Sequence, residues 1–107
     1  MADKFRNFIG GEWVEPSSGE YFENRNPAKW SEIIGLWPRS NQEDVNRAAA
    51  AAKAAFPAWS RMPAPARGDI LRRVGDLLSE RKEEIAAAAT REMGKVCLLY
   101  TSDAADE

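Results

Sequence analysis

Cys97 is the only cysteine in the chain, and there is no histidine. That inventory excludes an internal disulfide, a zinc site of the usual cysteine and histidine type, and any histidine-based nucleophilic triad. A thiol attacks as its thiolate and needs a neighbouring base or cation to form it. Cys97 stands between Val96 and Leu98, just after the Gly94-Lys95 pair. The one paired glycine, Gly10-Gly11 in NFIGGEW, reads as a turn that needs positive φ, not as a phosphate cradle. No G-x-G-x-x-G segment of the dinucleotide-binding kind is present.

Composition narrows the classes further. The 107 residues suffice for one small domain, with 44% hydrophobic and 30% charged residues, values that exclude a wholly disordered chain. Net charge is −2, with both signs interspersed, so the basic footprint that nucleic acid requires is missing. The start, MADKFRNF, lacks a long apolar region. No stretch approaches the roughly 20 apolar residues needed to cross a bilayer. A cytoplasmic protein without nucleic-acid or membrane partners is expected.

The positioning elements centre on residues 63 to 95. Ile70, Leu71, Val74, Leu77 and Leu78 recur on one helix face, while Arg72, Arg73, Asp76 and Glu80 fall on the other. Pro63 and Pro65 suit a first turn and Gly94 suits a left-handed cap. The apolar series resumes at Ile85, Ala88, Ala89 and Met93, which places a joint near residues 79 to 82. Upstream, Ser40 and Glu43 stand in a capping-box relation, so a helix should begin at Asn41. Val45, Ala48, Ala49, Ala52, Ala55 and Phe56 hold its face until Pro57 ends or kinks it, and Trp59 follows as a core anchor. The pattern predicts strands near 8–9, 12–14, 21–25 and 33–37, and helices near 41–56, 64–80 and 82–93. The helices are expected to pack through Val45, Ala49, Phe56, Ile70, Val74 and Leu77.

With these elements placed, NFIGGEW, ENRNPA, EDVNRAAAAAKAAFPAW, RGDILRRVGDLL and REMGK together resemble the N-terminal part of NAD(P)-dependent aldehyde dehydrogenases over residues 5 to 95. The resemblance implies an α/β fold. The hairpin, strands and three helices would be the first part of a doubly wound, Rossmann-like cofactor-binding domain that is incomplete here. It also implies oxidation of an aldehyde or semialdehyde to a carboxylic acid with NAD or NADP. In the family a cysteine thiolate attacks the aldehyde, hydride passes to the nicotinamide, and a glutamate activates water.

None of these catalytic residues carries over. Cys97 falls too early in the chain to match the family's nucleophile. Glu92 superficially resembles the family's Glu-Leu-Gly-Gly-Lys segment but has one residue too few before Lys95, so it reads as a solvated or capping carboxylate. The resemblance assigns no cofactor, catalytic or side-chain metal ligand, and the chain alone should be inactive. The backbone carbonyls of Asn24 and Arg25, just before Asn26-Pro27, match a monovalent-cation position of some members. An ordinary strand end is the competing reading. The partners implied are the remainder of the same polypeptide and, for the full-length form, further copies in a homo-oligomer. A free-standing helical interaction module is the alternative from another class.

At residue 97 the resemblance breaks. CLLYTSDAADE can be written TGT CTC TTA TAC ACA TCT GAC GCT GCC GAC followed by GA, which resembles a translated transposon-end sequencing adapter. The expected organisation is therefore a partial cofactor-binding domain over 1–96 and a non-native tail over 97–107, in which Cys97 and Tyr100 have no selected role.

Overall fold

The structure, a computed structural model, describes residues 2–94. Gly10 and Gly11 adopt φ of +62° and +85°, the successive positive values that a two-residue hairpin turn of the primed type requires. Around that turn β1 (Asn7–Ile9) pairs antiparallel with β2 (Glu12–Val14), setting Phe8 opposite Trp13. A second hairpin joins β3 (Tyr21–Asn26) to β4 (Lys29–Pro38) through Pro27 and Ala28. Asn26 Oδ1 accepts the Ala28 N–H at 2.9 Å, a side-chain turn that Asn favours.

Strand β4 begins at Lys29, four residues before the expected Ile33. The reason lies in the register, which shifts between Asn24 and Arg25 and again between Arg25 and Asn26. These irregularities absorb residues that strict alternation leaves out. The chain start also joins β4, since Phe5 N–H donates to the Leu36 carbonyl at 2.9 Å and Leu36 N–H to the Asp3 carbonyl at 2.8 Å. That parallel contact is absent from the expectations because it links segments that no local pattern connects.

Helix α1 (Gln42–Arg61) starts one residue later than its expected box. Asn41, not Ser40, is the cap: its Oδ1 accepts from the amides of Glu43 and Asp44, and Asp44 accepts in return from the Asn41 N–H. Ser40 Oγ instead accepts from Asn7 Nδ2 at 2.8 Å. Pro57 does not end the helix. It removes one amide donor, yet one more turn follows and closes where Met62 N–H reaches the carbonyls of Ala58 and Trp59. Arg61 Nε supplies the Pro57 carbonyl with a donor at 2.9 Å. Helices α2 (Ala64–Glu80) and α3 (Lys82–Met93) meet at Arg81 as expected, with Pro65 in the first turn of α2 and Gly94 left-handed at φ +68°.

The expected packing among the helices does not occur. Helix α1 lies on β1, α3 lies on β3, and α2 touches α3. Val45, Phe56, Ile70 and Val74 are all exposed, as are Leu71 and Trp59, which corrects the reading of Trp59 as a core anchor. Ala86 is the buried apolar side chain of this region, at 4% exposure. The radius of gyration is 17.4 Å, well above the about 13 Å of a compact chain near this length. In α3 the packed side is that of Ala86, with Ala89 and Thr90 half-buried, and not the expected Ile85, Ala88 and Met93, which are exposed. No residue of α2 is buried.

Candidate functional site

The densest polar constellation gathers at the β3–β4 turn. Glu32 Oε1 accepts from Arg91 Nε at 2.9 Å and lies 2.8 Å from Arg91 Nη2. Its other oxygen accepts from Asn26 Nδ2 at 3.0 Å. These residues come from β4, α3 and the end of β3, brought together because α3 lies along β3. The Asn26 hydrogen bond and the paired Arg91 guanidinium hold the Glu32 carboxyl below its ordinary range, aided by the charge of Lys29. Beside it Arg25 binds Glu23 at 2.6 Å and the Trp30 carbonyl at 3.0 Å, with its guanidinium 6.0 Å from the Trp30 ring.

A second constellation caps α1. Asp44, at 2% exposure, accepts from the backbone amides of Asn41 at 3.0 Å and Ser17 at 2.9 Å. Those bonds depress its pKa, with smaller contributions from the Ser17 hydroxyl and the Arg47 charge. Ser17 Oγ also hydrogen-bonds Asn41 Oδ1 at 2.9 Å. The loop over residues 16–19 is thereby tied to the helix start.

Both constellations tie one element of the fold to another. Every carboxylate oxygen named is engaged by a structural partner, and the Ser17 hydroxyl beside Asp44 donates to Asn41 Oδ1. A dinucleotide pyrophosphate needs free amides at a helix start, but α1 fills that position with the Asn41 and Asp44 side chains. The α2 start lacks amides at Pro63 and Pro65, and α3 opens with Glu83 and Glu84. Gly10-Gly11 faces the alanine stripe near Ala51, in the middle of α1. Side chains or prolines thus occupy the starts of α1 and α2, where a pyrophosphate would need free amides.

The sequence candidates separate in space. Cys97 and the 97–107 tail lie outside the described residues. Glu92 is exposed at the end of α3, where its Oε1 is 3.5 Å from Asn24 Nδ2. Asn24 and Arg25 sit at the register shifts of β3, and no group of three or more His, Cys, Asp or Glu side chains gathers as a metal site among the described residues. The Asn26–Glu32–Arg91 network escaped sequence reasoning because Glu32 and Arg91 are 59 positions apart. Its one local signal was the Asn at the turn.

Comparison with known proteins supplies what the site withholds. Folds like this one open large dehydrogenases that act on aldehydes. An NAD-dependent aldehyde dehydrogenase from Sinorhizobium meliloti is similar with a TM-score of 0.85 and 32% identity, over 91% of this chain and 20% of that one. A betaine aldehyde dehydrogenase from Staphylococcus aureus, solved with NAD+, gives a TM-score of 0.86 at 33% identity, covering 92% of this chain and 20% of its own.

The aldehyde dehydrogenase family model matches residues 13–106, and the chain belongs to that family. It is 46% identical over 91 residues to an alpha-ketoglutaric semialdehyde dehydrogenase of Bacillus subtilis, which covers 85% of this chain and 19% of the relative. A malonate-semialdehyde dehydrogenase of Halalkalibacterium halodurans is 45% identical over 93 residues, covering 87% and 19%. The chain thus spans about a fifth of the length of the curated relatives it matches. Among the described residues no helix is long and apolar enough to cross a membrane.

Proposed function

We propose that this chain is the N-terminal segment of an aldehyde dehydrogenase whose complete form oxidises a semialdehyde to a carboxylic acid with NAD or NADP. The observation that carries this reading is the 46% identity to a semialdehyde dehydrogenase over one fifth of its length. The segment contributes framework: two hairpins and three helices whose uncovered apolar faces suit the remainder of a nucleotide-binding domain. The nucleophile, the water-activating glutamate and the cofactor loop belong to the other four fifths, so the 107-residue chain alone turns over nothing. The complete protein would be cytoplasmic and homo-oligomeric, as the family resemblance implies. A free-standing interaction module has no need of the N-terminal hairpin and its Asn26-Pro27 turn.

Two measurements test this. Purified chain given alpha-ketoglutaric semialdehyde and NAD+ or NADP+ should produce no absorbance of reduced nicotinamide above a blank, and turnover would overturn the inactivity. Residues 1–95 joined to the complementary four fifths of the Bacillus subtilis relative should restore oxidation. A folded but inactive chimera would count against the framework role.

We read residues 97–107 as translated adapter because CLLYTSDAADE can be written in the adapter's codons. The family match reaches residue 106, which favours the competing reading of a native tail. The nucleotide sequence decides between them: codons departing from the adapter string at several positions would make the tail native.

A further inference from the structure

The corner at Gly94 is seated on the β3–β4 turn. Its N–H donates to the Thr90 carbonyl at 2.8 Å. A Cβ placed on Gly94 would stand 3.1 Å from Pro27 Cγ and 3.3 Å from Ala28 Cβ, so the two backbones approach closely. One turn earlier on the same helix, Arg91 grips Glu32 with two nitrogens, and Glu32 in turn receives Asn26 from the turn itself. Both hydrogen-bonding ends of Glu32 are thus used to join the two elements. Of the other charges nearby, Arg25 is occupied by Glu23, Glu92 faces Asn24, and Lys29 reinforces the carboxylate form of Glu32.

We propose that Asn26, Glu32 and Arg91 act as one latch that holds the Gly94 corner on the β3–β4 turn and so fixes the end of α3 against that hairpin. Pairwise deletion then cannot be additive, since removing either Glu32 or Arg91 opens the same contact. The latch is also local, because the distal ladder around Phe22 and Trp37 is closed by its own backbone pairs.

Amide hydrogen exchange on the 107-residue chain tests this. The informative amides are Ala28 and Gly94, with those near Phe22 and Trp37 as internal reference. Glu32→Gln and Arg91→Met should each speed exchange at Ala28 and Gly94 by about threefold, the scale of a half-exposed ion pair. The double variant should be no faster than either single one. Arg91→Lys keeps the charge but loses the two-nitrogen fork, and should fall between. Additive effects would overturn the latch. So would unchanged exchange at Ala28 and Gly94, equal acceleration at the reference amides, or absence of protection at both sites in the unsubstituted chain.

Discussion

Phe5 stacks on Trp37 with ring centroids 4.3 Å apart and planes 28° from parallel, and the stack occupies the place where Gly35 has no side chain. A Cβ at position 35 would stand 2.5 Å from Phe5 Cε2 and 2.7 Å from Trp37 Cζ3. Replacing Gly35 with alanine should therefore expel Phe5 and weaken the parallel contact between the chain start and β4, at a cost of about 1 to 3 kcal/mol. Urea unfolding followed by tryptophan fluorescence reads the change. An unaltered midpoint would show that the stack tolerates a methyl group.

The shifted cap makes a paired prediction. Asn41→Ala removes the acceptor for two α1 amides and should lower stability by about 1 kcal/mol, whereas Ser40→Ala loses only the exposed bond to Asn7. Helicity at 222 nm against urea distinguishes them. A larger effect at Ser40 would restore the box that the spacing of Ser40 and Glu43 suggests.

Asp44 gives the α1 start an acid limit. Its pKa is depressed by the amides of Asn41 and Ser17, so the folded state binds a proton less readily than the unfolded chain. The stabilisation is present above the ordinary aspartate pKa, about 4, and is lost as pH falls through the depressed folded value. A titration of helicity from about pH 6 downward should show this loss at the acid end, and Asp44→Asn should flatten it. A carboxyl carbon of Asp44 titrating at or above the ordinary aspartate value would refute the assignment.

Leu71 on α2 is 63% exposed. Leu71→Ser should leave the helical signal within about 0.5 kcal/mol of the original stability while reducing self-association and binding of a hydrophobic dye. A loss of several kcal/mol would mean that the residue is buried in solution.

How much of this was legible follows the range of each interaction. The Gly10-Gly11 turn, the joint at Arg81 and the left-handed Gly94 are decided within a few residues, and local chemistry located them. The α1 alanines do face the first hairpin, since periodicity reports which side is apolar. It does not report what lies opposite, and the assumption that the helices cover each other failed for Val45, Phe56, Ile70 and Val74. The Phe5–Trp37 stack and the Glu32–Arg91 pair depend on register and on helix placement across dozens of residues. Neither leaves a periodic trace.

Pairing within each hairpin has a bearing on biosynthesis. Strands β1 and β2 close across two residues, as do β3 and β4, and the helices need only their own turns. At about 5 to 20 residues per second of translation, each element can form as soon as it clears the ribosome. If the chain is the opening segment of a longer enzyme, as proposed, the exposed face of Ile70, Leu71 and Val74 waits on later translation for its cover. Until that cover arrives, this nascent helix is the part of the chain that chaperones and proteases can recognise, and any halt in synthesis leaves it as a mark for disposal.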